Sequence, residues 1–108
     1  GNQRHVGVVW GGMNPGVERY GVRYYSSLAE TFRTWSDSIW RFRNTADMAG
    51  ADVYLAIHAH FDKTLDKLRA MKYRRPGDPH PFISADAVDR FFTIMGECTD
   101  AQLGRVTE

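Results

Sequence analysis

The sequence predicts an α/β domain in the order strand, long helix, strand, helix, helix, with its two strands parallel. Three observations predict it. Two short apolar runs rich in β-branched residues, His5 to Trp10 and Val53 to Ile57, read as strands. The stretch between them carries helical spacing from about Ser26 to Ala49, and two more helical patterns follow the second run. A strand-helix-strand unit implies parallel strands joined by a right-handed crossover. Two strands make a poor sheet alone, so other sequence or another copy of the chain is expected to complete it.

The 108 residues fit a single domain over the whole chain. Charged residues at 25% and apolar residues at 43% are ordinary globular usage, which argues against disorder. A formal net charge of +1 gives no electrostatic footprint for nucleic acid or an anionic membrane, and the one basic knot, Lys72, Arg74 and Arg75, reads as a solvated loop. No apolar run approaches the ~18 residues of a membrane span, and the first residues do not read as a signal peptide. Cys98 is the single cysteine, which excludes an internal disulfide and a cysteine-based zinc site and leaves periplasm and cytoplasm equally open. The chain opens almost directly on a strand, as a piece of a longer protein would.

Taken in order, the first strand ends at Trp10 and runs into Gly11-Gly12, a pair expected to supply unusual backbone freedom. It lacks the lysine and the spacing of a phosphate-binding loop, so turn geometry outweighs ligand contact. Met13 to Gly21 reads as a loop. In the long helix Leu28, Phe32, Trp35, Ile39, Phe42, Ala46 and Ala49 form one apolar stripe, widened by Tyr24, Tyr25 and Trp40, and Gly50 supplies the stop.

Val53 to Ile57 is almost continuously apolar, as suits a strand buried on both faces. Asp62 is placed to cap a helix whose period is set by Phe61, Leu65, Leu68 and Met71 or Lys72. Three prolines between Pro76 and Pro81 forbid regular structure. Ser84 then caps a last helix with Asp86 in its first turn and a buried stripe of Val88, Phe91, Met95 and Cys98, with Phe92 beside it.

The chemistry concentrates after the second strand, in His58-Ala-His60-Phe-Asp62-Lys63. Ligands in open α/β sheets collect outside the carboxyl ends of strands, and His58 is the first residue past one. The segment matches HxHxDH, the motif that opens the zinc site of the metallo-β-lactamase superfamily, up to its last position. There Lys63 replaces the histidine, and an ammonium has no lone pair for zinc. Downstream only His80 remains, too little for the rest of such a site.

A longer succession reads differently. VGVVWGG, a long helix running into AGADVYLAIHAHFDKTLDKLRAM, then RRPGDPHPF and a closing AVDRFFTIMGEC, resembles the carboxyl-terminal half of metallo-β-lactamase fold hydrolases. It is nearest to proteins related to the third subclass of those β-lactamases and spans about Val6 to Leu103. The resemblance implies a partial αββα sandwich and a parent that uses zinc-activated water against an amide or ester carbonyl of a small molecule, a β-lactam among the candidates. It implies one metal ligand, His58, for the second zinc. His60 and Asp62 stand where the family pattern has no ligand and rank behind it, and the HxHxDH match is coincidental. The amino-terminal half, which brings the other ligands, is the implied partner, and the isolated chain is expected to bind zinc weakly and turn over little.

Without the resemblance each candidate has a plainer role. A lone histidine at a strand end is more often structural, Asp62 is a helix cap, His60 faces solvent, His80 sits in a proline-rich loop and His5 begins an edge. Two rival readings follow. The chain is a non-catalytic α/β interaction module, homodimeric through its sheet or its Trp35 and Trp40 helix, or copies of it assemble His58, His60 and Asp62 into an intermolecular metal site.

Overall fold

The computed structural model describes residues 2–11 and 25–108. The order is β1 (Gly7–Trp10), α1 (Leu28–Met48), β2 (Val53–Ala56), α2 (Ala59–Asp62), α3 (Thr64–Lys72) and α4 (Ala85–Thr107). Gly12, the Met13 to Gly21 loop and Tyr24 lie outside the described residues.

Local chemistry sets the ends of α1. The Ser27 hydroxyl accepts from the Glu30 amide at 3.1 Å, and the Glu30 carboxylate returns to accept from the Ser26 amide at 2.7 Å, a reciprocal pairing close to a capping box. Those bonds lower the Glu30 pKa, the Ser26 hydroxyl contributing most. At the other end Gly50 takes φ +69°, its amide bonds Asp47 O, and the Ala51 amide bonds Ala46 O. That is the Schellman pattern, and it turns the chain straight into β2.

The strands pair in parallel with Gly7 opposite Val53 and Trp10 opposite Ala56, as the strand-helix-strand order predicts. Alternation puts Val8, Trp10, Tyr54 and Ala56 on one face, where α1 and α4 cover them. Phe92 sits at the centre, completely buried, with the rings of Trp10, Phe42, Tyr54 and Phe91 around it. The stripe of α1 faces this core through Phe32, Ile39 and Ala46, while Leu28 and Ala49 at its ends are exposed.

β2 is not buried on both faces. Leu55 is 40% exposed, Ile57 63%, and Val9, opposite Leu55 on β1, 53%. Among the described residues α1 and α4 pack on the opposite face, so Val9, Leu55 and Ile57 form an exposed apolar face. The architecture among the described residues is therefore one helical layer on a two-stranded parallel sheet, and a second layer is absent from it.

Three further expectations are corrected. The buried positions of α4 are Val88, Phe92, Gly96 and Thr99, and Cys98 is exposed. The face turns because Gly96 admits the Trp40 ring and lets α1 and α4 close together. The pair is further tied by Asp100, which accepts from Ser36 Oγ and, at 2.9 Å, from Trp40 Nε1. The single helix after β2 is two, broken at Lys63 with φ 56°. Gly11, the described half of the glycine pair, does not use left-handed backbone, and among the described residues a side chain there would meet Ile57 Cδ1 at 3.6 Å.

At the amino ends of the strands Asp52 acts as a staple. Its carboxylate accepts from the Val6 amide at 2.9 Å and lies 2.6 Å from His5 Nδ1, which lowers its pKa chiefly through the His5 bond. Its carbonyl accepts from the Ser84 amide at 2.7 Å, and Val53 bridges Ile83, so the start of α4 is tied to β2.

Candidate functional site

The carboxyl end of β2 delivers His58 as the residue preceding α2, with extended backbone at φ −111° and ψ 123°. Ser27 and Ser84 spend their side chains on capping in the equivalent position, but His58 makes no such bond. Its imidazole is exposed, 5.9 Å from the His60 ring and 6.2 Å from Phe61 between centroids. His60 is exposed too and leans on Phe61 at 4.2 Å. The two exposed rings thus lie near one another just past the strand end.

Asp62 does different work. Only 6% exposed, it accepts from the Ala56 amide at 3.1 Å through one oxygen, and from the Thr64 amide at 3.0 Å and the Thr64 hydroxyl through the other. Burial by itself would push its pKa up, but the Thr64 hydroxyl, the two amides and the charge of Lys67 outweigh that and hold the carboxyl below its ordinary value. The expected helix cap is corrected: Lys63 occupies the N-cap position of α3 without a side-chain cap bond, and Asp62 instead bonds the Thr64 amide two residues on, across the left-handed Lys63.

Thr64 and Tyr54 complete this arrangement and are not singled out by the sequence patterns. The Asp-Lys-Thr spacing, in which an aspartate bonds an amide two residues on, is the available signal for Thr64. Tyr54 is buried beneath, and burial with the nearby Asp62 charge pushes its phenol up to about 12. Both oxygens of buried Asp62 are thus engaged by amides and a hydroxyl, whereas the side chains of His58 and His60 are exposed.

Comparison with known proteins finds no match: no family model, no curated protein and no solved structure is significantly similar to the chain. The functional reading therefore rests on its own residues. Among the described residues no three His, Cys, Asp or Glu side chains gather into a metal-holding group. His5 is engaged with Asp52, and His80 Nδ1 accepts from the Phe82 amide at 3.2 Å, so both have structural partners.

Replacing Asp62 by asparagine is expected to cost about 2 kcal/mol of stability, because a charged acceptor is lost and an NH2 is turned toward backbone donors. The folded pKa lies below the unfolded one, so the wild-type advantage is full above the ordinary carboxylate value of about 3.9 and fades as pH falls through the folded value. Urea melts of both proteins at neutral and acidic pH measure this, and the gap between them should narrow in acid.

Proposed function

We propose that this chain is the carboxyl-terminal part of a zinc-dependent hydrolase of the metallo-β-lactamase fold, with His58 as one ligand of a shared metal site. The observation that carries the reading is the pairing of two incomplete features. An exposed, uncommitted histidine stands at the carboxyl end of β2, and the sheet behind it leaves Val9, Leu55 and Ile57 uncovered. A missing layer that packs on that apolar face is in position to bring further ligands to the same end of the sheet.

Zinc supplies a Lewis acid and a water acidified to near-neutral pKa, which suits attack on an amide or ester carbonyl, a β-lactam included. The chain's own contribution is to hold the imidazole of His58 at a fixed place. The Asp62 bond to the Ala56 amide pins the strand end two residues before it. A catalytic zinc needs about three protein ligands, so His58 and its neighbour His60 do not suffice, and the chain alone is expected to be inactive.

The uncovered sheet face also favours a second reading, a non-catalytic module that pairs with another copy of itself through Val9, Leu55 and Ile57. Mass spectrometry of the protein in its source separates the two. A longer precursor carrying HxHxDH upstream of Gly1 supports the hydrolase. A mature chain without it, dimeric in solution and free of metal, supports the module.

A further inference from the structure

The net charge of +1 conceals a strong local imbalance. Six of the 14 lysines and arginines, Lys63, Lys67, Arg69, Lys72, Arg74 and Arg75, fall between residues 63 and 75, where Asp66 is the sole acid. Arg69 lies 3.6 Å from that Asp66, the charge of Lys67 acts on Asp62 and Asp78 bonds the Arg75 amide, but among the described residues no acidic side chain stands within ion-pair distance of Lys63, Lys72, Arg74 or Arg75. The helix at the centre of this segment, α3, buries none of its residues. Leu65 is 64% exposed and Leu68 52%, and Tyr73 just beyond is exposed as well. Helical spacing sets Leu65, Leu68 and Lys72 on one side, with Arg69 beside them.

From this arrangement we infer that α3 and the Tyr73–Arg75 segment form a docking surface for an anionic phospholipid bilayer. Positive charge over the whole segment complements a layer of phosphate and carboxylate headgroups, and two leucines framed by cations suit the boundary between headgroup and hydrocarbon. Three of the six cations are lysines, a residue type depleted at protein interfaces, and the arginines and Tyr73, which such interfaces favour, suit the headgroup boundary equally, so a bilayer accommodates the whole set. Exposed leucines gain nothing on a nucleic-acid backbone, which argues against that polyanion. The surface is distinct from the sheet face of Val9, Leu55 and Ile57, which carries apolar side chains without cations, and the inference stands whether or not the chain is part of a hydrolase.

The test is co-sedimentation of the full chain with phosphatidylcholine vesicles, with and without about 30% phosphatidylserine. Binding to the anionic vesicles only, weakened by salt, is expected. The variant Lys72→Glu, Arg74→Glu, Arg75→Glu alters exposed residues alone, so it should keep the wild-type circular dichroism and bind at least about tenfold more weakly. Leu65→Ser with Leu68→Ser should also lower binding. Equal recovery on the two lipids, wild-type binding by the charge-reversed variant, or capture by polyuridylate or polyglutamate with none by vesicles would overturn the inference.

Discussion

Replacing Phe92 by alanine is expected to remove about 3–5 kcal/mol of stability, the range for emptying a well-packed aromatic site. The side chain is fully buried and joins all the layers at once. Its ring lies 6.0 Å from Trp10 of β1, 6.0 Å from Tyr54 of β2 and 4.9 Å from Phe42 of α1. No neighbour can fill the space without abandoning another of these contacts. A domain this small starts near the low end of the usual 5–15 kcal/mol, so much of the variant should be unfolded at physiological temperature. Urea denaturation followed by tryptophan fluorescence measures the loss, and a value under about 1.5 kcal/mol would mean that the core collapses around the gap.

The second large effect is expected at Gly96, where valine should cost about 3 kcal/mol. A Cβ at this position would come within 2.5 Å of Trp40 Cε2 and Cζ2. The indole is not free to swing away, since its Nε1 is bonded to Asp100 and Arg43 lies over its ring at 5.5 Å. Even Gly96→Ala should destabilise, although alanine is the better helix former by about 1 kcal/mol. Trp40→Ala makes room, so the combined loss in the double variant should be smaller than the sum of the single losses. Thermal melts of the four proteins decide this, and simple additivity would show that α1 and α4 do not meet through this notch.

How much of this was legible in the sequence differs from element to element, for physical reasons. α1 was legible because its large apolar residues carry the period and Gly50 is a strong stop signal, while the Ser27 cap is visible only in the structure. α4 was legible in its extent but not in its face. Two of its buried positions are Gly96 and Thr99, and small or hydroxylated residues do not register as apolar even where they make the closest helix contact. The spacing of its neighbours predicts a core position for Cys98, which is exposed.

The strand β2 shows a different limit. Continuous apolarity states that a strand expects cover on both faces, but not whether the same chain provides it. Leu55 and Ile57 are exposed, since among the described residues the long helices α1 and α4 pack on the other face. At the strand end, the placement of His58 followed directly from the apolar run before it. The inward turn of Asp62 did not, since it depends on the left-handed Lys63 and on the Thr64 hydroxyl, neither of which has a period to read. After the same break α3 keeps Thr64, Lys67 and Met71 half-buried and leaves Leu65 and Leu68 in solvent, although the spacing from Phe61 predicts one continuous helix with those leucines on its apolar side.

The central claim is that His58 is one ligand of a metal site that the chain does not complete. Metal analysis and titration calorimetry of the purified 108-residue chain with zinc test it most directly. Weak binding of at most one zinc is expected, lost in His58→Ala and reduced less in His60→Ala. Tight binding of two zinc ions, or zinc affinity unchanged by His58→Ala, would contradict it.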